Sequence, residues 1–99
     1  MEGVPDEVLS DDEVTARLTE RPGWALVDGS LHRELEFEGF APAFACMAQV
    51  ALAAEKLDHH PDWSNVYKTV VVKLNTHDAG GLTALDFDLA MKMNSYAGF

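Results

Sequence analysis

Residues 63–76 read WSNVYKTVVVKLNT, and this stretch decides the fold. Its second half alternates, with Val70, Val72 and Leu74 on one side and Val71, Lys73 and Asn75 on the other. A period of two predicts a strand with one buried face. The stretch is long for a single strand, so we expect a turn near Tyr67 and Lys68 to fold it into a hairpin.

The segment before it predicts two further strands. Trp24 to Val27 is apolar, Asp28-Gly29 is a hairpin turn signal, and the residues from Leu31 to Phe37 alternate. Leu35 and Phe37 face one way, and the glutamates at 34, 36 and 38 face the other. One face of this strand is therefore expected to be buried and the other exposed.

Helices are predicted at both ends of the chain. Ser10 to Glu13 has the pattern of a capping box, and Arg21-Pro22-Gly23 ends the first helix. Thr83 to Asp86 is a second capping box, followed by a helix with Leu85, Leu89 and Met93 on one face. The order of helix, two strands, helix, hairpin and helix predicts an α+β fold, with helices packed on one face of an antiparallel sheet.

The middle helix is unusually apolar. Pro42 suits its first turn, and Gln49 is the only polar side chain between Ala43 and Ala54. Its large apolar residues do not fit one stripe: Phe44, Met47, Val50 and Leu52. A helix that is apolar nearly all round is buried on more than one side, so we expect self-association through it. The alternative is that its many alanines are small enough to tolerate exposure.

Length and charge exclude several classes of protein. A chain of 99 residues fits a single domain, 1–99, in which residues 1–9 are expected to be flexible. A net charge of −10 opposes direct binding of nucleic acid. No stretch predicts a membrane span, because the longest charge-free run is short and contains Pro42 and Gln49. The acidic N-terminus lacks the pattern of a signal peptide, so a cytoplasmic location is predicted.

Three of the four histidines stand where sites are commonly built. His32 lies among polar positions of an alternating strand and is expected at the surface. His59 and His60 follow the apolar helix directly, and His77 follows the strongest strand. Glu55 lies one turn before His59 and could join the cluster. Ends of rigid elements are favoured positions for catalytic or metal-binding residues.

Other chemical interpretations are weaker. A metal site could use Glu55, Asp58, His59, His60 and His77, but no HxxxH or HExxH spacing is present. Cys46 is a poor nucleophile because apolar neighbours would raise its pKa. A catalytic acid role for Asp86 competes with its role in the helix cap.

A longer pattern connects these residues. It consists of Glu55, three residues, His59-His60-Pro61, five residues, Tyr67, nine residues, His77, eight residues and Asp86. In this pattern the chain resembles the pterin-4a-carbinolamine dehydratase family, also known as the dimerisation cofactor of a hepatocyte homeodomain factor. The likeness covers roughly residues 13–94 and includes the neighbouring sequence segments PGW, VALAAEK, WSNVY and THDAGGLT.

The resemblance implies a four-stranded antiparallel sheet with about three helices on one face, assembled as a homodimer or homotetramer. It implies loss of water from 4a-hydroxytetrahydrobiopterin to give quinonoid dihydrobiopterin, which aromatic amino acid hydroxylases reuse. No cofactor and no metal are implied. Imidazole titrates near neutrality and can deliver or remove the protons of this reaction.

The resemblance also implies roles for individual residues. His59, His60 and His77 are expected to line the site, with His60 and His77 as acid and base and His59 assisting. Glu55 is expected to orient an imidazole or bind a pterin N–H. Trp63 is expected either to form an apolar wall for the ring or to belong to the core. Asp86 is expected to cap its helix and to hold a histidine in one tautomer.

A non-catalytic function is the alternative. Members of the family also act as binding partners that stabilise or assemble other proteins, and such a module would use the apolar face of residues 42–57. A pure binding module would have no need of His59, His60 and His77 together. The enzyme is therefore the favoured interpretation.

Overall fold

The computed structural model describes residues 7–98. The elements are three helices, α1 (Asp11–Leu18), α2 (Phe40–Leu57) and α3 (Ala84–Ala97), and four strands, β1 (Ala25–Val27), β2 (Ser30–Glu36), β3 (Asp62–Val66) and β4 (Thr69–Leu74). The strands form one antiparallel sheet in the order β1-β2-β4-β3. The predicted α+β class, the four-stranded sheet and the hairpin turn near Tyr67 are confirmed.

The boundaries differ from the predictions by one or two residues. Helix α2 begins at Phe40, two residues before Pro42, with Gly39 at its N-cap. Trp24 lies outside β1, and its backbone N–H donates to the Arg21 carbonyl in the preceding turn. Its buried ring donates a hydrogen bond from Nε1 to Asn94 Oδ1 over 2.9 Å. This bond attaches the start of the sheet to α3. Of the segment 1–9 that the sequence predicts to be flexible, residues 1–6 lie outside the described residues, while the Leu9 N–H donates to Leu82.

The core lies on one face of the sheet. The predicted alternation is confirmed, since Leu31, Leu35, Val70, Val72 and Leu74 are buried there. Helix α3 contributes more to this core than its predicted stripe, because Phe87 and Ala90 are buried along with Leu89 and Met93. The guanidinium groups of Arg17, in α1, and Arg21, in the turn after α1, lie over the Phe87 ring at 5.9 and 5.7 Å from its centroid. Two arginines four residues apart therefore cover an aromatic ring of the core.

Helix α2 contributes only part of its surface to the core. It buries Ala43, Cys46, Val50, Ala53 and Ala54. Three large apolar residues on its other sides are exposed, to 51% for Phe40, 55% for Phe44 and 74% for Leu52. By length and composition α2 alone among the helices of residues 7–98 could cross a membrane. Core helices of globular proteins can be as long and as apolar as a membrane-spanning helix. Because α2 packs within the fold, its length and composition are weak evidence for a membrane span.

Both predicted capping boxes are present. The Ser10 hydroxyl accepts from the Glu13 N–H, and Glu13 Oε1 accepts from the Ser10 N–H over 2.8 Å. Thr83 and Asp86 form the corresponding pair at α3. These bonds satisfy N–H groups that a helix start would otherwise leave unpaired.

The first capping box predicts a pH dependence of α1. Its hydrogen bond from the Ser10 backbone lowers the pKa of Glu13. The stabilisation is therefore fully present above the ordinary glutamate pKa of about 4.3 and is lost as the pH falls through the lowered value. We expect an NMR titration of the Glu13 carboxyl carbon to show the lowered midpoint. In Glu13→Gln the α1 amide shifts should lose this acid transition, whereas an ordinary midpoint in the wild type would contradict the prediction.

Candidate active site

Three elements meet at the candidate site: the end of α2, the loop after β4 and the start of α3. Helix α2 ends at Leu57, and its C-cap residue, Asp58, has a left-handed backbone with φ of 53°. Asp58 is an uncommon non-glycine residue in this region, which aspartate tolerates better than most. The turn is held by a bond from the His59 N–H to the Ala54 carbonyl over 3.0 Å. As a result, the side chains of the adjacent residues His59 and His60 lie in different surroundings, one buried and one exposed.

His59 is the buried member of the pair. Its Nε2 lies 2.6 Å from Asp86 Oδ1, and the Asp86 side chain is fully buried. The other carboxylate oxygen, Oδ2, accepts from the Thr76 hydroxyl over 2.8 Å and from the Thr83 N–H over 3.0 Å. Because each of these partners can donate, the arrangement stabilises an ionised carboxylate. Asp86 therefore caps α3 and also contacts His59.

His60 is the exposed member. Its Nε2 lies 2.7 Å from Glu55 Oε1, one turn back along α2, and both side chains are largely exposed. A carboxylate can accept only from an imidazole nitrogen that carries a proton, so this contact favours the Nε2–H form of His60 and leaves its Nδ1 lone pair free. Glu55 thus has the geometry of a residue that orients an imidazole.

His77 completes the cluster. It follows β4 at the start of a loop in which the Thr76 carbonyl accepts from the N–H groups of residues 79, 80 and 81. The His77 side chain is exposed and forms no hydrogen bond with any residue between 7 and 98. It is therefore free to act on a ligand.

The three histidines open onto one depression of about 230 Å³, lined by Asp58, His59, His60, Asn75, Thr76, His77 and Asp78. A smaller hollow of about 50 Å³ adjoins it, lined by Ser30, His60, Asp62, Lys73, Asn75 and His77. His60 and His77 are the histidines common to both hollows. The structure thus brings together the three histidines that the sequence singled out, with Glu55 and Asp86 in contact with two of them.

Trp63 does not line either hollow. It lies opposite Val72 in the β3–β4 pairing and packs against the core, partly buried, on the helix-covered face of the sheet. Of the two roles expected for Trp63, this position matches the one in the core.

Sequence reasoning missed Asn75 and Thr76. Both residues directly precede His77. The only sequence signal for either was the alternation of β4, which places Asn75 on the side opposite Val70, Val72 and Leu74 but does not indicate a functional role. His32, expected at the surface, is half-buried within β2 and lines neither hollow.

The weaker chemical interpretations gain no support. Among residues 7–98, no three His, Cys, Asp or Glu side chains are grouped so that they could hold a metal ion. Burial raises the pKa of the Cys46 thiol, which disfavours the thiolate needed for nucleophilic attack. Two larger hollows, of about 490 and 380 Å³, contain no histidine. The smaller depression is therefore the candidate site because of the histidines that line it and not because of its volume.

The arrangement can transfer protons. Three imidazoles, two of them paired with carboxylates, face a shallow polar depression beside a rigid sheet and two helix ends. Groups that titrate near neutrality are suited to general acid–base catalysis. The fold and site thus define a small α+β protein with a histidine cluster for acid–base chemistry.

Comparison with known proteins agrees with this description. Residues 7–96 match the family described as pterin 4 alpha carbinolamine dehydratase, and the chain belongs to this family. A relative from Mesorhizobium japonicum is 64% identical over 93% of this chain and 96% of its own length. A relative from Chelativorans is 55% identical over 90% of this chain and 93% of its own length. Both carry the name pterin-4-alpha-carbinolamine dehydratase provisionally.

A solved structure agrees as well. The crystal structure of a transcriptional coactivator/pterin dehydratase from Brucella melitensis superimposes with a TM-score of 0.91. It is 46% identical in sequence, and the match covers 93% of this chain and all of that one. The predicted family is confirmed.

Proposed function

We propose that this protein is a 4a-hydroxytetrahydrobiopterin dehydratase, which removes water to give quinonoid dihydrobiopterin. The observation that carries the proposal is the convergence of His59, His60 and His77 on one depression, within a chain of the matching family. The substrate determines what the protein must catalyse: the hydroxyl on carbon 4a leaves as water, and a C=N bond forms between carbon 4a and the adjacent ring nitrogen.

The reaction requires two proton transfers. One imidazolium protonates the departing hydroxyl, and one neutral imidazole takes the proton from the ring nitrogen. His60 and His77 carry these roles, because their side chains are exposed and line both hollows. The proton gained by one and lost by the other re-equilibrates with water, and no electrons are transferred to the protein.

The remaining residues support these two. Glu55 orients the His60 imidazole, and its exposed carboxylate can also accept from a pterin N–H. His59, held by Asp86, assists from the buried side. Trp63 supports the sheet beneath the site. The depression is smaller than the about 300–1,000 Å³ of typical ligand pockets, so it accommodates the reacting edge of the pterin and leaves the substituent outside.

The direct experiment follows the ultraviolet decay of freshly generated 4a-hydroxytetrahydrobiopterin with and without the wild-type protein. Positioned acid–base groups typically contribute about 10² to 10⁴-fold, so we expect a clear acceleration over the spontaneous reaction. A folded protein at micromolar concentration that leaves the decay unchanged would exclude the dehydratase function. In the cell, such an activity would recycle the pterin for an aromatic amino acid hydroxylase in the cytoplasm.

The exposed side of α2 favours a second property, self-association as a homodimer or homotetramer. Phe40 and Phe44 stack with ring centroids 5.7 Å apart, and Leu52 lies two turns further along the helix. Monomeric proteins seldom expose such contiguous apolar surface. The Brucella melitensis relative is named a transcriptional coactivator as well as a pterin dehydratase. A role of this chain in binding another protein would use the same surface of α2.

Introducing a charge on this surface tests self-association. We expect Leu52→Asp and Phe44→Asp to lower the mass measured by light scattering, because each places a carboxylate in an apolar interface. Val66→Asp is the matched control, since Val66 is 76% exposed but lies on β3. A wild-type protein that stays monomeric at high concentration would contradict self-association and direct the search to a different protein partner.

A further inference from the structure

Thr76 has a buried hydroxyl that the proposed reaction does not use. The residue lies between Asn75 and His77, and its side chain points away from solvent with 7% exposure. Its Oγ1 is 2.8 Å from Asp86 Oδ2 and 2.8 Å from Thr83 Oγ1. The Thr76 hydroxyl therefore connects the loop after β4 to the first turn of α3.

The direction of this hydrogen-bonded chain is determined by counting protons. An ionised carboxylate only accepts, so the single hydroxyl proton of Thr76 is donated to Asp86. The Thr83 hydroxyl must then donate to Thr76, while its oxygen accepts from the Leu85 N–H over 3.3 Å. Each hydroxyl proton is used once, and the chain runs from Thr83 through Thr76 to Asp86.

The chain ends at a histidine. With Oδ2 occupied by Thr76 and the Thr83 N–H, Asp86 presents Oδ1 to His59 Nε2 at 2.6 Å. His59 then carries its proton on Nε2, and its Nδ1 makes no hydrogen bond with the part of the chain from 7 to 98. Loss of the Thr76 donor would leave Oδ2 held by the Thr83 N–H alone and would loosen this constraint on the imidazole.

The side chain and the backbone of Thr76 have separate functions. The backbone forms the loop, since its N–H donates to Gly81 and its carbonyl accepts from three N–H groups. A valine at this position keeps the backbone and the branched shape and removes only the hydroxyl. The two contributions can therefore be separated by mutation.

We infer that Thr76 is a positioning residue, which through Asp86 holds His59 in its Nε2–H tautomer for the dehydration. The expected effect on the reaction rate rests on the proposed function, whereas the expected effect on the His59 tautomer does not. Removing the hydroxyl redistributes the His59 proton between its two nitrogens and slows the reaction. Thr76→Val is expected to lower kcat about tenfold, because small misplacements of reacting groups are costly.

Two measurements test this, each on wild type, Thr76→Val, Thr76→Ser and Thr69→Val. Thr69 is a matched control, because it lies at the opposite end of β4 and its hydroxyl makes no hydrogen bond with residues 7–98. Long-range ¹⁵N–¹H NMR of the free protein should show Nε2–H for His59 in all except Thr76→Val. Turnover should fall in Thr76→Val, recover largely in Thr76→Ser and remain at the wild-type level in Thr69→Val.

Either of two results would overturn the inference: a wild-type tautomer in Thr76→Val, or a loss in Thr76→Ser as large as in Thr76→Val. Because the NMR measurement uses no substrate, it decides the positioning role even if the wild-type protein proves inactive as a dehydratase. If Thr76→Val does not fold, Thr76→Ala removes the same hydroxyl with a smaller side chain and is judged by the same two results.

Discussion

Replacing His77 by alanine is expected to lower kcat by about 10² to 10⁴-fold, the usual contribution of a positioned acid or base. The fold should not change, because the His77 side chain is exposed and makes no hydrogen bond with residues 7–98. The measurement is the ultraviolet decay of 4a-hydroxytetrahydrobiopterin, together with a thermal melt of the same sample. A sharp loss of turnover at an unchanged Tm would place His77 in the mechanism.

His32→Ala is the matched control for this variant. It removes an imidazole from β2 that lines neither hollow, so turnover should remain at the wild-type level. Equal rates for wild type and His77→Ala would remove His77 from the mechanism. An equal loss in both variants would show that the effect is not specific to the site.

Asp86→Ala is expected to produce the largest loss of stability among changes at the site. It leaves two buried donors without an acceptor, His59 Nε2–H and the Thr83 N–H, while the Thr76 hydroxyl keeps only Thr83 Oγ1 within reach. A buried group that loses its partner costs about 1 to 3 kcal/mol, so the free energy of unfolding should fall by about 2 kcal/mol or more. Urea denaturation followed by circular dichroism measures this change.

Asp88→Ala provides the comparison on the same helix. Asp88 is exposed and forms no hydrogen bond or ion pair with residues 7–98, so its removal should change the free energy of unfolding by less than about 0.5 kcal/mol. If Asp86→Ala unfolds at the same urea concentration as Asp88→Ala, the buried network contributes little to stability.

Most of the fold was predictable because the signals are local. The alternation of residues 70–74, the Asp28-Gly29 turn and the two capping boxes each depend on neighbours a few residues away, and all were found where predicted. Helix α2 was harder to place at its start, since Gly39 caps it without a side-chain hydrogen bond. The burial of Phe87 could not be predicted, because its ring packs in a core built from distant segments, under two arginines about 70 residues earlier in the chain.

The candidate site was predictable in its members but not in its organisation. Spacing brought His59, His60, His77 and Asp86 into one pattern, and the structure places them at one location. The pattern did not reveal that His59 is buried and His60 exposed, because this depends on the left-handed backbone at Asp58. The pattern also did not show that Thr76 contacts Asp86. That contact joins the loop after β4 to the start of α3 through a single hydroxyl, which no spacing in the sequence indicates.

The four residues that connect α2 to β3, 58–61, restrict how the chain can evolve. Surface connections usually tolerate insertions and deletions. Here one added residue after Asp58 would place a different side chain next to Asp86 and would shift the histidine pair by one position. The connection should therefore keep a constant length although it lies at the surface.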